Sequence, residues 1–227
     1  MVVNDSGIWQ DKSLWSLVAS NILTLILAVT LHWSLLTIMW IYWCQSVIIG
    51  FFNVIRILKL KTFSAKNLKL NNIPVEKIKL FRNIPTLFKV FVACFFAFHY
   101  GFFHLVYAVF LSVGTIASLY GSAVGFPLPF GHVAFFGVLF SAGVFFINHL
   151  FSFIYNSKKD EGLPDIGRLM FYPYARIIPM HITIIIGVLL GPMALPFFLV
   201  LKTIADVVMH AQEHAVSVGS SFFKFSS

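Results

Sequence analysis

The chain has 227 residues, of which 59% are hydrophobic and 11% charged, with a net charge of +8 and 27 phenylalanines. Soluble domains carry about 25% charged residues and about 45–50% apolar ones. The composition therefore excludes a soluble globular enzyme and implies one polytopic membrane domain over residues 1–227. The basic charge does not mark a nucleic-acid reader either, because no stretch is left over for a folded soluble module. It gathers instead in two places, Arg56 to Lys89 and Lys158 to Arg176.

The first apolar run, 14–31, follows Asp5, Asp11 and Lys12 and lacks a small-residue cleavage site, so it reads as a true span rather than a signal peptide. A short turn at His32-Trp33-Ser34 leads into a second span, 35–58, with Tyr42, Gln45, Ser46, Gly50 and Asn53 in its interior. Small residues of this kind suit close helix packing. Cys44 here and Cys94 in the next span read as small apolar core residues.

Residues 56–84 alternate Lys with Leu, Ile and Phe. The segment can lie on the anionic inner leaflet, apolar side down, or be an ordinary solvated loop. A third span covers 85–111, extending as far as 117, and carries His99 and His104. These two are five apart, about 140° around a helix, and are poor joint ligands unless the helix deforms near Gly101. The Gly- and Pro-rich connection 120–131 reads as an irregular outer loop.

A fourth span, 133–155, contains His149. Residues 156–176 read as a solvated loop with Asp160, Glu161 and Asp165, ending in Tyr172-Pro173-Tyr174 as an interfacial aromatic anchor. Arg176 opens a fifth span, 176–190, and can reach lipid phosphates or an acid such as Asp165 or Glu213. Pro179 removes a backbone hydrogen bond beside His181, which reads as a broken helix lining a cavity or as a packing kink. Gly191-Pro192 turns the chain into a sixth span, 193–214. The connections on the side opposite the two basic stretches hold no Lys or Arg. With the basic loops in the cytoplasm and six spans, both termini are cytoplasmic and the protein resides in the cell membrane.

The sixth span carries the strongest functional signal. Lys202, Asp206, His210 and His214 recur every four residues, each step advancing only about 40° around the helix, and Glu213 falls back near Lys202. Such a stripe must face other helices or a polar cavity rather than lipid. Three readings follow. In the first, a metal-dependent intramembrane hydrolase, Asp206, His210 and His181 bind a divalent ion such as zinc. His214 or His99 completes the shell, Glu213 is the base for a bound water, and Lys202 balances charge. The spelling His210-Ala-Gln-Glu213-His214 matches the short H-x-x-E-H pattern of inverted zincins. In the second reading, Asp206 and the histidines relay protons or ions. In the third, Lys202 and Asp206 neutralise each other, the histidines are interhelical hydrogen-bonders, and the chain is an accessory subunit bound to other membrane proteins or to a second copy of itself.

Four segments carry a resemblance over nearly the entire chain: WCQSVIIGFFNVIRI at Trp43–Ile57, HYGFFH at His99–His104, YARIIPMHITIIIG at Tyr174–Gly187 and LKTIADVVMHAQEH at Leu201–His214. They resemble a family of six-span prokaryotic membrane proteins of unknown function (domain of unknown function 6498), which implies an all-α membrane bundle and no activity. HYGFFHLVYA is also similar to the paired-histidine pattern of rhomboid proteases. It departs from that pattern at Ala108, where the family has Asn, and around Ser141, which lacks the Gly-x-Ser-Gly setting. The alkaline ceramidase and progestin-receptor-like hydrolases hold zinc with three histidines and an acid. Their residue types are similar to Asp206 and His210 here, but their span count and spacings differ.

Overall fold

The computed structural model describes residues 26, 30, 32–65, 68–70, 72–74, 77–78, 84–124, 133–156 and 165–217; of residues 121–124, 210–217 and a few others it describes the backbone alone. Apart from one hairpin of two-residue strands, the described elements are helical. They are α1 (Leu35–Lys59), β1 (Lys69–Leu70), β2 (Ile73–Pro74), α2 (Pro85–Val124), α3 (Phe135–Asn156), α4 (Ile166–Phe171), a 3-10 turn (Tyr172–Arg176), α5 (Ile177–Leu190), a second 3-10 turn (Gly191–Met193) and α6 (Ala194–Ser217). Three helical runs among the described residues are long and apolar enough to cross a bilayer: Leu35–Lys59, Pro85–Tyr120 and Ile166–Gly187, with Phe135–Phe151 a shorter apolar helix. That is compatible with a multi-pass membrane protein. Most of the first expected span, 14–31, lies outside the described residues.

Exposed faces agree with the composition. Phe91, Phe98, Phe102, Leu105, Val109 and Ile116 on α2, and Phe136, Leu139 and Phe140 on α3, are exposed. Water would not tolerate so continuous an apolar coat, whereas hydrocarbon accepts it.

The start of α1 agrees with the sequence reading and several other boundaries differ, each for a local reason. Ser34 caps α1, its Oγ accepting from the Thr37 amide at 3.1 Å, so the helix starts where the apolar run does. Helix α2 continues past the expected end at 111–117 to Val124, since the intervening SVGTIASLYGSAV contains no proline. Between 60 and 84 the chain forms the β1–β2 hairpin, turning through Asn72 at φ 63°, a left-handed conformation that Asn tolerates. Residues 166–176, read as loop, form α4 and a 3-10 turn that run directly into α5. Pro179 thus falls in the first turn of α5, where its missing N–H costs no helical hydrogen bond, and the helix is not broken at His181.

The chain divides into two compact units. One comprises Ile41–Phe110 and Phe136–Tyr174. In it α1 and α2 approach closely at Gly50, where a Cβ would come within 2.6 Å of the Tyr100 ring. The Tyr100 hydroxyl bonds Ser46, Trp43 Nε1 donates to the His104 carbonyl at 2.8 Å, and Lys89 Nζ donates to the Leu60 carbonyl at 2.9 Å. Asp165 caps α4 by accepting from the Arg168 amide, and the Ile166 amide donates to the Ser64 carbonyl. Ile166, Leu169 and Met170 are buried, and Asn53 donates to the Leu169 carbonyl at 2.9 Å. Part of the basic 56–84 segment is therefore packed on its own chain, with Leu60 and Ala65 buried.

The second unit comprises Met1–Trp40, Leu111–Phe135 and Ala175–Ser227. Trp40 Nε1 donates to Thr115 Oγ1 at 3.0 Å, and the Ala134 amide donates to Thr37 Oγ1 at 3.0 Å. Helices α5 and α6 form an antiparallel hairpin through Gly191, whose φ of 51° and ψ of −124° suit glycine alone.

Candidate functional site

Helix α6 buries one stripe and exposes the other. Ala194, Phe198, Lys202, Ala205, Asp206 and Met209 are buried, whereas Val200 and Ile204 are exposed. The four-residue spacing brings Lys202 Nζ to 2.8 Å from Asp206 Oδ2, as the cost of isolated charge in an apolar setting requires. Burying Met209 on the same face continues the stripe to the turn where His210 begins. The side chains of His210, Glu213 and His214 lie outside the described residues.

Arg176 completes the group. Its Nη1 donates to Asp206 Oδ1 at 2.6 Å, with side-chain exposures of 4% and 7%. Each carboxylate oxygen thus accepts a charge-assisted hydrogen bond from a different cation. The sequence reading placed Arg176 at a span edge, reaching phosphates, Asp165 or Glu213. The structure corrects this: Arg176 lies at the eleventh position of the 22-residue apolar run Ile166–Gly187 and reaches Asp206. The signal was available, since only Arg168 and Arg176 interrupt that run. Asp160, Glu161 and Asp165, which read as marks of a solvated loop, masked it.

The remaining metal candidates are placed differently. His181 stands on the exposed side of α5, five residues and about 140° around from Arg176. His99 belongs to the other unit, exposed on α2, where its Nδ1 is 2.7 Å from the Tyr174 hydroxyl and its ring stacks on Phe95. Tyr174, read as an interfacial anchor, packs against Phe96 and Tyr100. His99 is ten residues from Lys89, about 15 Å along α2, so this pair sits deep along the helix. His104 is a buried hydrogen-bonder, its Nδ1 2.9 Å from the Tyr100 carbonyl, and His149 stacks on Phe145. Helix α2 continues unbroken through Gly101, with His99 exposed and His104 buried. Among the described residues no group of three or more His, Cys, Asp and Glu side chains is arranged to hold one ion. Asp206, the leading expected ligand, has both oxygens engaged by cations. What the arrangement can do is hold, exchange or pass charge.

A family model matches residues 8–220, and the chain belongs to that family, a family of unknown function (DUF6498). No curated protein and no solved structure matches the chain.

Proposed function

We propose that this member of DUF6498 is a six-span protein of the cell membrane, with both termini in the cytoplasm, in which Arg176, Asp206 and Lys202 form the central station of a proton or ion pathway. Six spans are supported by the three long apolar runs, the shorter helix Phe135–Phe151, the 24-residue α6 and the absence of any charged residue from the mainly apolar run 14–31. Orientation is supported by outer connections that hold no Lys or Arg, against the basic residues of 56–82 and Lys158-Lys159 on the other side.

The observation that carries the pathway reading is the double clamp on Asp206 inside an apolar hairpin. Buried ion groups hold a fold no better than apolar side chains of equal volume, so stability alone does not account for one. Ionisable groups at membrane depth mark ion and proton routes. A charge passing this point must displace one cation from one carboxylate oxygen. Lys202, a point charge on a flexible stem, is the movable partner, while the planar Arg176 fork is the fixed one. Along α6 the same stripe continues through His210 to His214 beside Glu213, toward the proposed cytoplasmic end.

The test is reconstitution into proteoliposomes with an imposed potassium diffusion potential and an internal pH dye. The parent should acidify or alkalinise the lumen with the potential, and Asp206→Asn should stop it. Equal flux in that variant, or none in the parent, rejects the pathway. Elemental analysis of the same preparation tests the hydrolase alternative. A stoichiometric divalent metal lost in His210→Ala would replace the pathway with a metal centre built on His210, His214 and a ligand such as His181 or His99.

A further inference from the structure

Threonine inside a helix usually turns its hydroxyl back to the carbonyl four residues earlier. Thr30, Thr115 and Thr203 do so, donating to Ile26, Leu111 and Leu199 at 2.9, 2.7 and 2.8 Å. Thr183 does not. It is 1% exposed, and its Oγ1 makes no hydrogen bond among the described residues. Its Cγ2 points to the following turn, 3.5 Å from where a Cβ on Gly187 would stand. Native structures leave few buried hydroxyls unmet, because the desolvation is uncompensated.

The position of Thr183 gives that hydroxyl a setting. Arg176, which precedes the first residue of α5, and Met180, Thr183 and Gly187 on α5 are spaced by three and four residues and all buried. The α5–α6 register sets Gly187 against Ala194 and Arg176 against Asp206. Thr183 lies seven residues, about 10 Å, from Arg176 toward the Gly191 turn, and Lys202 lies four residues, about 6 Å, from Asp206 in the same direction. Thr183 is therefore the next polar side chain on these two buried faces beyond Lys202.

We propose that Thr183 binds an internal water that extends the Arg176–Asp206–Lys202 group toward the hairpin turn; its place in a proton route rests on the pathway reading above. Water is the guest that fits. The hydroxyl is neutral and both donates and accepts, while its nearest buried companions along the two facing stripes, Met180 on α5 and Ala194 and Phe198 on α6, carry no counter-charge for an ion.

Thr183→Val keeps the shape and removes the hydroxyl; Thr183→Ser keeps the hydroxyl. With a bound water, the Val variant strands it, lowering Tm by a few degrees and proton flux by about tenfold, while the Ser variant retains flux and loses less stability. A Val variant with a raised Tm means the hydroxyl is dry, and overturns the proposal. A lowered Tm with unchanged flux removes Thr183 from the route. A lowered Tm in a parent that carries no protons keeps the water and rejects the pathway.

Discussion

At the residue scale the consequences centre on Asp206. Converting it to Asn leaves two buried cations without their carboxylate, which costs about 3–5 kcal/mol when one partner of a buried pair is lost. Lys202→Met leaves the 2.6 Å Arg176–Asp206 pair intact and puts an apolar chain of similar length in the same space, so it should cost less. Thermal unfolding in mild detergent should therefore rank the parent first, Lys202→Met next and Asp206→Asn last. An Asp206→Asn variant as stable as the parent would mean that the two cations are balanced elsewhere. Lys202 and Asp206 were legible as a pair because a four-residue helical spacing is a local rule. Arg176 was not, since its partner is 30 residues away and only the hairpin brings them together.

At the element scale, close approach of helices sets the expectations. A Cβ at Gly50 would come within 2.6 Å of Tyr100 Cε1 and 2.9 Å of Cδ1. Gly50→Ala must push the Tyr100 ring off Ser46, a packing conflict of about 1–3 kcal/mol. The measurement is the unfolding midpoint against Gly143→Ala, where a Cβ meets nothing within 4 Å; equal midpoints would refute the close approach. Gly191→Ala forces an L side chain to φ 51°, ψ −124°, and should loosen the α5–α6 hairpin at a cost of about 1–3 kcal/mol. Protection of α6 amides from hydrogen exchange should fall in that variant and remain unchanged in Gly143→Ala. Helix existence was readable from the apolar runs alone. The continuation of α4 through the 3-10 turn into α5 was not, because Asp165 has two meanings: a solvated acid in a loop, or a cap whose side chain accepts from the Arg168 amide.

At the scale of the whole molecule, the expectation is orientation. No Lys or Arg occupies the connections at 32–34, 125–134 and 191–193, against two basic stretches on the other side. A reporter fused after Ser227 should read as cytoplasmic and one inserted near Ser122 as external. The reverse at either site would overturn the six-span arrangement.

Composition, apolar run length and charge asymmetry are properties of the chain taken one segment at a time. They determined by themselves that the protein is helical, apolar on its outer surface and suited to a bilayer. They also fixed the Lys202–Asp206 spacing and the single polar face of α6. The second cation on Asp206, the pairing of His99 with Tyr174, the exposed side given to His181 and the unmet hydroxyl of Thr183 were decided by tertiary structure. A polar side chain in an apolar run has to find a partner, and the sequence states that need. Which residue answers it depends on register between helices, and that is set by packing at points such as Gly50 and Gly187 and by the turn at Gly191, where no pattern along one helix carries the information.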